Sequence, residues 1–536
     1  MAPREKGTIC GIENCRSRYY EQGDDGYQYC QEGHRRGNVL TTGQDEDDFN
    51  PYAKKQRQKS TEEREKKYQY FKGREAFDLY LKCYQLILRH QIWFLIRLKG
   101  LPAELESVIF DLWALRVMNL KDRVDDASGD ESQSQVFSTS ESEMDTEDEA
   151  PTLSRRGRKT SDTPKLIDTL ALCYLGSLTL RLPLTLGDLH AWATRGDMVY
   201  SRAIKLIPIS MKERLPSNYH SSLEPTHVLK PERLHSAVLD LAVAYEKVNG
   251  ISFPPINHPL LLFRYIKKLA LPLEVYASVT KLARLLNYTF AFPADFTKRL
   301  RNTDIPDVQL VSLIVISVKL IYPFDDICRY PASASEPAAI MMDWDAWEKA
   351  TGDFKMATEV PGKLKAEELM ELQEKDVFLM SGDQLDQYLN WYRDTWVDET
   401  VRGNDADSDF RNALFKEFPI GTTNKTEPDS TLEADNAANQ KAETQKLMAV
   451  HSAMKPKKVI AEEDADGDIQ RPGSRYKRYR EVIELPDKAK MFYEEAARIS
   501  GLSMKMLVNA VFSVEQRIER RGQRKRKEER SHRETS

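Results

Sequence analysis

Residues 10–34 read CGIENCRSRYYEQGDDGYQYCQEGH, and this stretch decides how the chain begins. Cys10 and Cys15 flank four residues, and Cys30 and His34 flank three. Between the two pairs, RSRYYEQGDDGYQY has the pattern of two short strands around a tight turn at Asp25-Gly26. Two close-spaced ligand pairs joined by a hairpin define a zinc ribbon, because each short loop presents two of the four ligands of a tetrahedral Zn2+. A segment this short and polar lacks the apolar surface to fold alone. Cys10, Cys15, Cys30 and His34 fill all four positions and leave none for water, so one structural zinc is expected rather than a catalytic one.

The rest of the chain sets different bounds. It has 536 residues, enough for two to four domains, with 40% hydrophobic and 30% charged residues. The net charge of −5 does not mark the whole molecule as a nucleic-acid binder, so the placement of charge carries more information than its sum. Six cysteines in this length do not make a secreted disulfide framework. Three belong to the ribbon, and Cys83, Cys173 and Cys328 are expected as small buried hydrophobes in apolar helical stretches. No signal core opens the chain, and the apolar run from Val308 is too short and interrupted to span a bilayer. A reducing compartment, cytosol or nucleus, is expected.

Outward from the ribbon (7–40), a polar linker follows at 41–70, within which Ser60 and Glu63 have capping-box spacing and should start a helix. Apolar residues then recur at helical spacing to about Lys99, Gly100 stops that helix, and Leu101-Pro102 starts another. Residues 125–164 are rich in Ser, Asp and Glu with almost nothing to bury, so a disordered acidic insertion is expected there. Helical pattern resumes at Leu166 and runs to about 250, where ISFPPINHP marks a boundary. A second helical block is expected over 255–400, a mobile polar linker over 401–483, and C-terminal helices with a basic tail over 484–536. The two blocks share a repeat. LPAELESVIFDLWALRV at Leu101 resembles LPLEVYASVTKLARLL at Leu271, and LALCYLGSLTLRLPL at Leu170 resembles LVSLIVISVKLIYPF at Leu310.

No phosphate loop, GxGxxG, HExxH or GxSxG pattern is present, so no enzyme is expected. The run DADGD at Asp464 lacks the glycine and closing glutamate of an EF-hand. Basic residues are more informative. Arg264, Lys267 and Lys268 share a helix, Lys281 and Arg284 lie on the next, and Lys298, Arg299 and Arg301 follow in a loop. Such a set has the chemistry to neutralise DNA phosphates. The tail from Arg520 to Lys527 suits a nuclear import signal or a nonspecific nucleic-acid arm.

A zinc ribbon, a linker and two helical repeats in this order resemble TFIIB-type general transcription factors. The ribbon, with its wide first spacing and terminal histidine, and the segment VKLIYPFDD from Val318 are most similar to the TFIIB-related subunit of the RNA polymerase I core factor. The resemblance implies a mainly α protein: an N-terminal zinc β-ribbon, two cyclin-like folds and a helical C-terminal extension. It also implies Cys10, Cys15, Cys30 and His34 as zinc ligands. As partners it implies RNA polymerase I, other core-factor subunits, TATA-binding protein and rDNA core promoter DNA, in the nucleus and nucleolus, with no membrane. Residues 41–60 carry no aromatic-rich reader motif that matches the family. Two other readings fit the helical blocks: a TFIIB-like factor for another polymerase, and a cyclin-type regulatory subunit of a kinase. A cyclin would need no ribbon.

Overall fold

The computed structural model describes residues 5–6, 10, 15–22, 28–36, 70–127, 163–225, 227–293, 301–358, 363–396, 428–461 and 469–535. The chain divides into two compact units, Met1–Lys67 and Tyr68–Ser536. The linker 41–60 with its Ser60 cap, the Asp25-Gly26 turn, most of the acidic insertion, the Asp464 run, Lys298 and Arg299 lie outside the described residues.

The first unit is an antiparallel sheet in the order β1 (Glu5–Lys6), β2 (Tyr19–Gln22), β3 (Gln28–Cys30) and β4 (Arg35–Arg36). Tyr20 pairs with Cys30 across β2 and β3, and both are buried. The two strands expected between the ligand pairs are therefore present.

The second unit is helical and repeats itself. Helix α1 (Gly73–Trp93) continues through a π-helical turn, Phe94–Leu98, into α2 (Glu104–Ala127), α3 (Ile167–Thr179) and α4 (Leu186–Arg195). Short helices α5 (Ile209–Lys212) and α6 (Ser217–Leu223) precede α7 (Pro231–Asn249). Then come α8 (His258–Lys268), α9 (Glu274–Leu286) and α10 (Pro306–Ile321). The chain leaves α1 through Gly100 (φ +68°) and leaves α8 through Ala270 (φ +52°), each followed by Leu-Pro and a new helix. The end of α8 is a Schellman-type closure, with Leu271 N–H donating to Ile266 C=O and the left-handed residue just before it. At α1 the matching bond runs from Leu101 N–H to Leu95 C=O, one residue wider because of the π turn.

Helices α3 and α10 are the two cores. Every residue of α3 from Thr169 to Leu178 is buried, as is every residue of α10 from Pro306 to Lys319. A helix apolar on all sides has to be covered on all sides. Helix α3 packs against α2, α4 and α7. Helix α10 packs against α9 and against α15 (Asp487–Ser500) and α16 (Met504–Thr535), which lie far along the chain. The bundle α1–α2–α3–α4–α7 is thus repeated as α8–α9–α10–α15–α16.

This corrects the expected layout. The second bundle is not contiguous over 255–400, because the C-terminal helices complete it: Phe492, Tyr493, Leu507, Val511 and Val514 are buried in its core. Between its halves lie β5 (Ile340–Met341), α11 (Trp344–Thr358), α12 (Ala366–Glu371), α13 (Gly382–Trp396), α14 (Pro428–Ala453) and β6 (Lys455–Pro456). The stretch 401–483, expected as a mobile polar linker, contains helix α14, which packs along α11, and β6, which pairs with β5. Its polarity misleads because α14 docks through charge. Lys446 is buried over the rings of Trp347 and Phe354, gives a 3.1 Å hydrogen bond to Lys268 C=O, and lies 3.8 Å from Glu495. Burial pushes the Lys446 amine down to about 8. Burial alone would raise the Glu495 carboxyl, but Arg498, Lys446 and Lys355 hold it at about 2. Helix α2 also runs to Ala127, past the expected start of the insertion at Asp125. Cys83 and Cys173 are buried as expected, whereas Cys328 is exposed.

The two bundles meet at close quarters. A Cβ on Gly187 of α4 would sit 2.6 Å from Ile499 C=O at the end of α15, so only glycine fits. On α10, Asp307 is buried and accepts a 2.6 Å hydrogen bond from Tyr174 Oη on α3.

Burial pushes the Asp307 carboxyl up to about 6, against the opposing pull of the Tyr174 hydrogen bond. A carboxyl raised on folding stabilises the protein fully below its unfolded value near 4, and that contribution is lost as pH rises through 6. Asp307→Asn, neutral at every pH, should remove this slope and be more stable than the parent by about 1–3 kcal/mol at pH 7.5. Urea melts of both proteins at pH 5 and 7.5 check it. Gly187→Ala should destabilise the chain by about 1–3 kcal/mol, read from the same melts.

Candidate metal centre and nucleic-acid interface

The sheet of the first unit brings four side chains to one point. The candidate ligand atoms of Cys10, Cys15, Cys30 and His34 all lie within 4.8 Å of one another. Two backbone turns present them. Cys10 N–H donates to Ser17 C=O at 3.0 Å, folding the first loop back on itself. In the second, Cys30 N–H donates to His34 C=O at 3.0 Å and Gly33 N–H to Cys30 C=O at 2.9 Å. Gly33 has φ +80°, a conformation glycine adopts without strain. Cys30 Sγ then lies 3.6 Å from His34 Nδ1 and accepts a 3.3 Å hydrogen bond from His34 N–H. For metal–sulfur bonds near 2.3 Å and metal–nitrogen bonds near 2.0–2.1 Å, a tetrahedron has edges of about 3.5–3.8 Å, so the Cys30–His34 edge already fits.

The electrostatics of two of the thiols differ. Burial disfavours the Cys30 thiolate, yet the N–H groups of His34 and Glu32 outweigh it and pull the thiol down to about 7. Cys15 goes the other way. The Ser17 backbone favours its thiolate, but burial and the Cys30 and Cys10 sulfurs together raise it. Positive charge placed beside Cys15 would relieve the repulsion that raises it. The four residues therefore fit a bound metal ion, in geometry and in charge.

The basic residues divide into two groups. Arg264 and Lys268 are partly exposed and both engage one carboxylate. Arg264 grips Asp188 of α4 with two hydrogen bonds of 2.6 and 2.7 Å and also donates to Pro183 C=O at 3.0 Å. Lys268 lies 3.6 Å from the same carboxylate. Asp188 also closes a capping box with Thr185, so one buried carboxylate caps α4 and ties it to α8. Burial would raise the Asp188 carboxyl, but Lys268 and Arg264 hold it below the usual range. Lys267 pairs with Glu443 of α14 at 3.4 Å. Lys281, Arg284 and Arg301 are exposed, and none makes a side-chain ion pair among the described residues. In α16, Arg520 to Lys527 form an exposed helical stretch.

Sequence reading missed one basic segment, RYKRYR at 475–480, between α14 and α15. Its interleaved tyrosines and cations were the available signal. Lys319 Nζ on α10 lies 4.6 Å and 4.5 Å from the ring centroids of Tyr476 and Tyr479 and pairs with Glu515 at 2.7 Å.

Asp188→Ala removes the shared partner of two partly solvated cations and the cap of α4. It should cost about 1–3 kcal/mol, more than Lys267→Ala, whose pair is more exposed. Because the Asp188 carboxyl is depressed on folding, its contribution is present above about pH 4 and lost as pH falls through its folded value. Chemical melts of both variants at pH 7.5 and pH 3.5 check the magnitude and the sign.

Comparison with known proteins meets this geometry. Residues 84–209 match the Rrn7/TAF1B N-terminal cyclin domain, and residues 227–396 match the Rrn7/TAF1B C-terminal cyclin domain. The second match begins early enough to include α7, which here packs on α3 of the first bundle. The RNA polymerase I-specific transcription initiation factor rrn7 of Schizosaccharomyces pombe is 26% identical over 445 residues, which cover 77% of this chain and 80% of that one. The RNA polymerase I-specific transcription initiation factor RRN7 of Saccharomyces cerevisiae is 24% identical over 358 residues, covering 61% of this chain and 63% of that one. A chain of the crystal structure of S. cerevisiae core factor is similar with a TM-score of 0.40 and 18% identity, over 71% of this chain and 92% of that chain. The two cyclin domains match in order and together span more than half of the sequence, and the chain belongs to the Rrn7/TAF1B family.

Proposed function

We propose that this chain is a TFIIB-like initiation factor for RNA polymerase I. It serves as a core-factor subunit that bridges the rDNA core promoter and the polymerase during preinitiation-complex assembly. The observation that carries this reading is the order of parts: a Cys3His ribbon ahead of two family-matched cyclin domains. The ribbon docks on the polymerase, and the helical bundles hold upstream DNA, TATA-binding protein and the other core-factor subunits. The factor acts by binding rather than by catalysis, in the nucleus and its nucleolus.

The ribbon metal is zinc, held structurally by Cys10, Cys15, Cys30 and His34. Three thiolates and one imidazole in a closed tetrahedron suit Zn2+ over harder cations. Lys267, Lys281, Arg284, Lys298, Arg299 and Arg301 are the DNA contacts of the second bundle. Arg264 and Lys268 support them indirectly by joining α8 to α4.

The tagged full-length chain, purified from its own cells, should bring down RNA polymerase I subunits and bind an rDNA promoter fragment in their presence. Recovery of a protein kinase without polymerase would instead make it a cyclin-type regulator. The purified chain should carry one zinc per molecule by metal analysis. Cys30→Ser should lose it and release the ribbon, while the thermal unfolding of the helical unit stays unchanged.

A further inference from the structure

We infer that the segment 475–480 and the adjoining face of α16 form a second nucleic-acid surface, one that grips the phosphate backbone of duplex DNA without reading sequence. The segment is held rigidly from beneath. Arg329, locked to Asp325 by bonds of 2.5 and 2.8 Å, donates to Ser474 C=O at 2.9 Å. Tyr476 Oη donates to Glu515 at 2.5 Å, and Lys319 is sandwiched by the Tyr476 and Tyr479 rings. With the tyrosines turned inward, Arg475, Lys477, Arg478 and Arg480 are all exposed.

Helix α16 supplies the opposite wall. An open groove of about 540 Å³ is lined by Arg478, Arg480 and Glu484 on one side and by Gln516, Glu519, Arg520 and Gln523 on the other. Arg478 pairs with Glu519 across it. Along the groove and past it, every residue of α16 from 519 to 528 is exposed, among them Arg520, Arg521, Arg524, Lys525, Arg526 and Lys527. Those turns bury nothing in the bundle, so packing does not account for their composition.

The chemistry favours phosphodiester over an acidic protein. Guanidinium groups dominate, and they match phosphate oxygens bidentately. Phe512 alone among the groove's lining residues is apolar, so the groove lacks the aromatic or aliphatic anchor pocket of a protein-binding hot spot. The proposal rests on the promoter-binding reading above for its partner class and adds a surface apart from α8 and α9.

The test is binding of the full-length protein to a generic duplex by fluorescence anisotropy between 50 and 200 mM salt. One variant carries Arg475→Gln, Lys477→Gln and Arg480→Gln, and a second carries Arg520→Gln and Arg524→Gln. None of these side chains makes an ion pair among the described residues, so thermal unfolding should not move. Each lost phosphate contact should flatten the slope of log K against log salt by about 0.9, or by about 2–3 for the triple variant. Unchanged slopes in both variants would overturn the assignment. So would competition by polyglutamate as effective as that by DNA at equal charge. A flattened slope without polymerase recovery sinks only the promoter-factor reading, and the reverse pair of results sinks only this surface.

Discussion

Helix α10 has no face that can be left wet, and most of the second unit follows from that. From Pro306 to Lys319 each residue is buried, including Lys319, whose ammonium group is costly to desolvate. Burial lowers the Lys319 amine, and Glu515 on α16 opposes that shift across 2.7 Å. The two tyrosine rings of the 476–479 segment add a π face where water would otherwise sit. The sheath of α10 is drawn from α9, just before it, and from α15 and α16, beyond residue 486. A core helix that depends on partners so far along the chain forces everything between them to loop out and return.

The looped-out portion is attached by the same means. Trp347 gives its indole N–H to Leu269 C=O at 2.8 Å, just where α8 ends. Trp344, Phe324 and Phe492 complete an aromatic cluster with ring centroids 4.5–5.8 Å apart. Helix α14 then settles over α11 through Lys446 and Glu495. Buried pairs of this kind contribute less net stability than apolar packing of equal volume, yet breaking one leaves a dry unpaired charge. They act here as register pins, since each carboxylate joins cations of specified elements. Asp188 fixes α8 against α4, Glu495 fixes α14 and α11 against α15, and Glu515 fixes α16 against α10.

What could be read from the sequence follows how local each signal is. The metal cluster was legible because its four ligands fall within one short hairpin and the pair spacing encodes the turns. Helices α3 and α10 were legible because an apolar run is visible without knowing its partners, and so was the Leu-Pro start shared by α2 and α9. The outer helices of the second bundle were not, because α15 looks like any amphipathic helix and nothing local marks α10 as its partner. Helix α14 was taken for linker because its docking uses few apolar residues and one buried lysine. Arg264 and Lys268 looked like free cations because Asp188, which holds them, precedes them by more than seventy residues.

Those last two residues show why a basic stripe is ambiguous until its anions are placed. Arg264 and Arg480 are both arginines, and both would add to a count of positive charge. The first gives three hydrogen bonds to a buried carboxylate and a backbone carbonyl, so drawing it toward a phosphate would weaken a charge-assisted pair. The second lends only its backbone N–H to Glu484 and keeps its side chain exposed on a segment whose aromatics are already committed to the core. Releasing the first costs cohesion between the bundles, whereas engaging the second disturbs nothing beneath it. The free energy of binding an external phosphate therefore differs sharply between the two, although their intrinsic charge is the same. That division leaves one kind of arginine to maintain the frame and another exposed to solvent.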